Sequence, residues 1–120
     1  MKRRHRLSRS RDFDAVYRKG SSVSTRYVVL YSFSREDDAG GPPRLGLAVS
    51  HKVGGAVERN RLKRRLRAAF DELEATLGHG RDYVLVARPG LAEAAEGHES
   101  GWLRERVEEA FRLSGGGASA

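Results

Sequence analysis

A chain of 120 residues with a formal charge of +7 and no cysteine has the size of one domain with a modest hydrophobic core. The lack of cysteine excludes disulfides and thiolate metal sites, and no apolar run approaches the roughly 18 residues of a membrane-spanning helix. The basic N-terminus is not followed by the hydrophobic segment of a signal peptide, so we expect a cytoplasmic protein.

The positive charge is concentrated in two segments of the sequence. Residues 1–20 hold eight Lys/Arg against two Asp, and residues 51–70 hold seven against Glu58 alone. Elsewhere, eight basic and thirteen acidic residues give a net charge of −5. Because a solvated surface normally intersperses its charges, this separation indicates a polyanionic partner, most commonly nucleic acid. An anionic membrane is disfavoured, since the basic helix described below keeps its apolar stripe for a core.

The N-terminal third predicts an arm, a helix and a strand. Residues 1–9 lack apolar periodicity and are predicted to form a flexible basic arm. From residue 10 to 19, apolar residues at positions 13, 16 and 17 have the spacing of one helix face, and Gly20 is the predicted stop. Residues 22–34 are rich in β-branched and aromatic residues and predict a long strand, either bent or split in two.

The remaining elements follow in the order loop, strand, helix, strand, helix. Residues 35–43 predict a turn-forming loop, residues 44–51 a second strand and residues 82–88 a nearly continuous apolar strand. Between these strands, the longest helical pattern, from 56 to 77, carries an apolar stripe of Leu62, Leu66, Ala69, Phe70, Leu73 and Leu77. Ser100 is the predicted cap of a last helix that buries Trp102, Leu103, Val107, Ala110 and Phe111. We therefore predict one α+β domain over residues 10–113, followed by a flexible tail at 114–120.

The long helix also has a basic face. Asn60, Arg64 and Arg67 follow the spacing i, i+4, i+7 nearly opposite the apolar stripe, with Lys63 and Arg61 on either side. Cations grouped in this way repel one another, and a polyanion relieves the repulsion while releasing its own counterions. Arg59 projects at the edge of the apolar stripe, where it either folds back toward the core boundary or reaches the groove beside the helix.

The helix is preceded by Gly54-Gly55, where free N–H groups and the positive end of the helix dipole can hold a phosphate. A left-handed turn is the plainer interpretation of the two glycines, and we favour it over a phosphate site.

The segment RLGLAVSHKVGGAVERNRLKRRLRAAF, residues 44–70, closely resembles the signature of the bacterial ribonuclease P protein component. The arm ending in Arg6-Leu7, the segment RDFDAVYRKGSSVSTRYVVLY at 11–31 and the strand DYVLVAR at 82–88 resemble the same family, and the likeness weakens in the last third. The chain departs from the family at His51, where lysine is more usual, and at Ala68, where glutamate is usual.

The resemblance implies a fold and a holoenzyme. The family folds as α-β-β-β-α-β-α with a left-handed βαβ crossover, an exception to the right-handed rule, like the second domain of a small-subunit ribosomal protein. The long segment at 22–34 would then supply the strand that completes a sheet of four. In the holoenzyme, an RNA subunit with bound Mg²⁺ cleaves precursor tRNA, and the protein binds RNA without catalytic or metal-binding residues of its own. A 1:1 complex of protein and RNA, with no membrane partner, is implied.

The same resemblance assigns two sets of binding residues. The residues that contact the ribonuclease P RNA would be Arg59, Asn60, Arg61, Lys63, Arg64, Arg67 and Lys52. The residues that line a cleft for the 5′ leader of precursor tRNA would be Phe13, Tyr17 and Tyr31. Aromatic faces stack on unpaired bases with little sequence preference, although all three rings can also be ordinary core residues.

Three rival functions were weighed. A nuclease with a protein active site would need clustered carboxylates or a His/Lys pair. The acids at 37–38 and 71–74 are instead interpreted as residues that solubilise the surface, and the four histidines are scattered along the sequence. A sequence-specific DNA-binding module would need a short helix and turn ahead of the basic helix. A ribosomal or other structural RNA-binding protein fits the composition equally well, and only the Arg-Asn-Arg context opposes it.

Overall fold

The computed structural model describes Arg6 and residues 10–35 and 41–114. The other residues of the predicted arm, the middle of the predicted loop at 36–40 and the tail from 115 onward lie outside the described residues. The described elements are α1 (Ser10–Lys19), β1 (Ser21–Ser24), β2 (Val28–Ser34), β3 (Arg44–Ala48), α2 (Ala56–Leu73), β4 (Arg81–Ala87), α3 (Leu91–Glu96) and α4 (Ser100–Leu113). A 3₁₀ turn, Glu74–Thr76, continues α2.

The long strand predicted at 22–34 is split into the hairpin β1–β2. The turn is held locally, because Thr25 N–H donates to the Val28 carbonyl oxygen at 2.8 Å and Val28 N–H donates to the Thr25 hydroxyl at 3.2 Å. The Arg88 guanidinium also donates to the Thr25 carbonyl at 2.9 Å. The split supplies the fourth strand that the resemblance required.

The four strands form one mixed sheet in the order β1-β2-β4-β3. The pairs β1–β2 and β2–β4 are antiparallel, whereas β3 runs parallel to β4 and is joined to it through α2. The α+β class and the predicted order of elements are therefore confirmed, with the addition of the short helix α3 before the last helix. The left-handed sense of the β3–α2–β4 crossover stays an expectation from the family.

The main core lies between one face of the sheet and the helices α2 and α4. The predicted apolar stripe is confirmed: five of its six residues are buried on α2, and the sixth, Leu77, is buried just beyond the 3₁₀ turn, so the helix itself ends four residues earlier than predicted. They pack against Leu30, Leu45, Tyr83 and Leu85 of the sheet and against Leu103, Val107, Ala110 and Phe111 of α4. Trp102 is only partly buried at the margin. The predicted cap of α4 is wrong: Glu99 occupies the N-cap position without a side-chain cap, and Ser100 is already helical.

The helix α1 covers part of the opposite face of the sheet, where Val16 packs on Val84. Gly20 ends α1 as predicted, with its N–H 3.0 Å from the Val16 carbonyl oxygen. A side chain would not fit at this position, because a Cβ would lie 2.5 Å from the Val16 carbonyl oxygen and closer still to that of Ser32. Gly20 is thus needed for a close approach of helix and strand.

One buried ion cluster joins the ends of the strands. Asp82 of β4 is 2% exposed. Arg44 of β3 binds its carboxylate with two hydrogen bonds, Nε to Oδ1 at 2.8 Å and Nη2 to Oδ2 at 2.7 Å. Arg35 donates to Oδ1 as well and to two backbone carbonyls. A single carboxylate therefore anchors the two arginines that flank residues 36–43.

In the described parts of the chain, none of the helices combines the length and apolar character needed to cross a bilayer.

Candidate RNA-binding surfaces

The outward side of α2 forms the first candidate surface, which we call the basic face and define by Asn60, Lys63, Arg64 and Arg67. Together with Val57 these residues line an open groove along the helix. None of the three cations has an ion-pair partner among the described residues. The predicted spacing thus brings the four residues together and leaves the three cations without a carboxylate partner in the part of the chain that the structure describes.

The other two arginines of the predicted set lie apart from the basic face. Arg61 is exposed and reaches Glu96 of α3, with Nη1 3.5 Å from Oε1. Arg59 is half-buried, and its Nε is buried without a hydrogen-bond partner in the described structure. Arg59 is therefore packed against the surface of the protein rather than extended into solvent.

The interpretation of Gly54-Gly55 as a left-handed turn is wrong. Gly55 is extended, with φ −73° and ψ 175°, and Gly54 is not left-handed either. The Glu58 carboxylate accepts from the Gly55 N–H at 3.4 Å and lies beside Gly54. A carboxylate already meets the positive end of this helix dipole, which argues against a phosphate there. Lys52 is exposed in the turn ahead of these glycines.

The second candidate surface is the sheet face beside α1, which we call the aromatic face. Tyr17 of α1 meets Tyr31 of β2 edge-on with ring centroids 4.8 Å apart, and Phe13 lies 6.5 Å from Tyr17. Tyr17 is 41% exposed, and the other two rings are half-buried. The structure therefore groups all three residues predicted for the leader cleft and leaves part of each ring accessible.

The aromatic face contains three residues that the sequence analysis missed. Phe33, Ala48 and Val86 are half-buried around the Val16–Val84 contact. Phe33 shares the strand parity of Tyr31, so the alternation of β2 already contained the signal for it. Ala48 and Val86 are brought in only by the register of β3 and β4.

Tyr17, the most exposed ring of the aromatic face, remains uncharged at neutral pH. Burial, and secondly the neighbouring Tyr31, raises the pKa of the Tyr17 phenol. A neutral phenol can stack on a base or donate to a phosphate, whereas a phenolate would repel the RNA backbone.

The described residue of the N-terminal arm lies at the edge of the sheet, which no periodicity could reveal. Arg6 is exposed and forms an isolated parallel β-bridge with Leu45 of β3. Burial, and secondly the charge of Arg6, lowers the pKa of Arg67.

Among the described residues, the acids considered as nuclease ligands do not cluster. The acids at 37–38 lie outside the described residues. Glu72 is exposed and pairs with Arg104 of α4 at 2.7 Å, across the α2–α4 contact beside Ala68. Within the described ranges, no three His, Asp or Glu side chains converge as metal ligands would.

A small α+β domain with an unneutralised cationic helix and a partly open aromatic sheet face is a protein built to bind RNA. The family model described as ribonuclease P matches residues 1–112 of the chain. The chain therefore belongs to the ribonuclease P protein family, which confirms the resemblance read from its sequence and the subunit role that the resemblance implied. The ribosomal alternative is thereby set aside.

Individual relatives agree with this assignment. The ribonuclease P protein component of Shouchella clausii is 50% identical over 88 residues, which cover 73% of this chain and 70% of the relative. That of Bacillus cereus strain AH187 is 40% identical over 115 residues, covering 96% and 95%. The solved structure of the RNase P protein from Thermotoga maritima superposes with a TM-score of 0.78 at 32% identity, covering 91% of this chain and 97% of that one.

Proposed function

We propose that the basic face of α2 docks on the catalytic RNA subunit of ribonuclease P. The observation that carries this proposal is the row of cations on α2 that lacks carboxylate partners within the described chain, although acidic residues are plentiful elsewhere. Phosphates would neutralise the row and release counterions. Asn60, in the middle of the row, has both a donor and an acceptor for a base edge or a ribose. Arg59, Arg61 and Lys52 flank this contact.

The aromatic face is proposed to hold the 5′ leader of precursor tRNA. Phe13, Tyr17 and Tyr31 present partly exposed rings of mixed orientation. Unpaired bases stack on such rings whatever their identity, which suits a leader of variable sequence. Phe33, two residues after Tyr31 on β2, extends the same face.

We further propose that the catalytic centre and its Mg²⁺ belong to the RNA subunit and that protein and RNA combine 1:1 in the cytoplasm. In this division of labour the protein binds and positions both RNAs, and it supplies no proton acceptor or metal ligand. The support is the character of the two surfaces, which offer guanidinium, ammonium, amide and ring groups.

Reconstitution tests the proposed function. The protein is added to a ribonuclease P RNA at a low Mg²⁺ concentration where the RNA alone is inactive, and 5′ cleavage of precursor tRNA is measured. We expect cleavage to be restored by the wild type and by Arg112→Ala. The second variant is the control for Arg64→Ala, because it also removes one exposed arginine but from α4. Arg64→Ala should bind the RNA subunit more weakly, with a salt slope flatter by about one unit or slightly less. Failure of the wild type to restore cleavage would refute the proposal.

The leader assignment has its own test. Tyr31→Ala should reduce the preference for precursor over mature tRNA by about 5- to 150-fold, the equivalent of roughly 1–3 kcal/mol for one lost stacking contact. Tyr31→Phe keeps the ring and should retain the preference. An unchanged ratio of precursor to mature affinity in Tyr31→Ala would show that the leader binds elsewhere.

A further inference from the structure

A cluster of three rings joins the start of α4 to the turn between β1 and β2. Trp102 of α4 meets Tyr27 edge-on, with ring centroids 5.0 Å apart, and both rings are partly buried against the main core. His98, just ahead of α4, stacks on Trp102 with ring centroids 4.4 Å apart and planes 11° from parallel. We call these three residues the α4 ring cluster. It is separate from the basic face on the outward side of α2 and from the aromatic face on the α1 side of the sheet.

The outermost ring of the cluster is held in place and open to solvent. His98 is exposed although Trp102 covers one face of its ring, so the opposite face of the imidazole is accessible. Its Nδ1 lies 2.7 Å from the Ala94 carbonyl oxygen and donates to it, because a carbonyl can only accept. A flat ring that is fixed, backed by tryptophan and open on one side can stack a further flat ring.

Cations surround the α4 ring cluster. The Arg26 guanidinium lies 5.3 Å from the centroid of the Tyr27 ring, and that of Arg106 lies 5.9 Å from the centroid of the tryptophan ring. Arg88 is tied to the same turn, because its N–H donates to the Tyr27 carbonyl oxygen at 2.9 Å. Arg106 also contacts the Glu105 carboxylate. Arg26 and Arg88 are exposed, and neither has a carboxylate partner within the described ranges.

We infer that the α4 ring cluster binds an unpaired nucleotide of RNA. The base stacks on the open face of His98, and the adjoining phosphates lie beside Arg26 and Arg88. Every base has a face that can stack on an aromatic ring, and guanidiniums neutralise the phosphates that accompany it. An acidic peptide would satisfy the two arginines but would leave the open ring unused. This third site rests on the proposed function and adds to it a nucleotide contact outside both candidate surfaces.

The fluorescence of the protein tests this site directly. Trp102 is the single tryptophan of the sequence, so its emission should change when a base stacks on the ring that covers it. The probes are the ribonuclease P RNA alone and, with the reconstituted holoenzyme, precursor and mature tRNA. The probe that changes the emission identifies the source of the nucleotide. An emission that stays unchanged with all three probes overturns the inference.

Substitution of the open ring gives the quantitative test. His98→Ala should weaken binding of the same probe by about 5-fold or more, which is the low end of the effect of losing one stacked base. His98→Tyr restores a ring and should restore the affinity. His79→Ala is the matched control and should bind like the wild type, because His79 is also exposed but precedes β4, at the opposite end of that strand from Arg88. Arg26→Gln should flatten the salt slope of binding by about 0.7–0.9.

The result also separates binding from folding. Because the His98 ring is exposed, His98→Ala should unfold at the same urea concentration as the wild type, whereas removal of Tyr27 or Trp102 would disturb the core. Equal affinities of the wild type and His98→Ala for all three probes overturn the inference, and so does a loss of affinity that His98→Tyr fails to rescue. Failure of the wild type to restore cleavage refutes the proposed function instead.

Discussion

The buried Asp82 cluster allows a sharp test of how this fold is held together. Asp82→Asn keeps the shape of the side chain but removes its charge, and with it the buried carboxylate that the Arg35 guanidinium, with a side chain only 4% exposed, contacts. Breaking such a buried pair costs about 3–5 kcal/mol, out of a total stability of about 5–15 kcal/mol for a domain. Arg44 adds less to this loss, since its side chain is 28% exposed and water can solvate it.

The loss is measured by urea unfolding, with the fluorescence of the single tryptophan and far-UV circular dichroism as probes. Glu72→Gln is the matched control, because Glu72 and Arg104 are also 2.7 Å apart but 60% and 44% exposed. An exposed pair contributes only about 0–1 kcal/mol. The double variant Asp82→Asn/Arg35→Met should recover part of the loss, because it replaces both members of the buried ion pair by uncharged side chains. Equal losses in Asp82→Asn and Glu72→Gln, or a further loss in the double variant, would refute the reasoning.

Two further predictions concern the backbone and the basic helix. Gly20→Ala should destabilise the protein by about 1–3 kcal/mol in urea unfolding, because its Cβ would overlap two carbonyl oxygens. Gly101→Ala is the control: its Cβ meets nothing within 4 Å, so it should be neutral or stabilise the protein by up to about 1 kcal/mol. Glu96→Gln frees Arg61 from an exposed pair and should tighten binding to the RNA subunit about 1.5- to 5-fold in a filter-binding titration. Weaker binding of Glu96→Gln would mean that this ion pair positions Arg61 for RNA.

Helical periodicity carried most of the sequence prediction. The stripe of α2 and the cations opposite it follow from spacing alone, because a helix fixes the direction of each side chain. Arg59 stayed ambiguous in the sequence since it projects at the boundary between the two faces, and only packing decided its position. The short helix α3 was missed because Leu91–Glu96 is too short to show a period.

Contacts between distant segments could not be predicted from the sequence. The break at Thr25 has no glycine or proline and depends on a hydrogen bond from Arg88, 63 residues away. The Asp82 cluster joins residues 38 and 47 positions apart, and the bridge from Arg6 depends on β3 being at the edge of the sheet. No local pattern signals such pairings, because each is selected by the register of strands in the finished sheet.

The two faces of the sheet differ in how completely they are packed. On the α2 and α4 side, nineteen of the described residues form one buried hydrophobic cluster, whereas the buried hydrophobic cluster described on the α1 side consists of Val16 and Val84. The first side can therefore carry a like-charged helix without unfolding, since burial of apolar area offsets the repulsion among its cations. The second side leaves aromatic rings half-exposed, which weakens packing there but keeps the rings available for bases. Tyr17 and Tyr31 therefore combine a ring-to-ring contact with partial exposure, which fits the leader-binding role proposed for them.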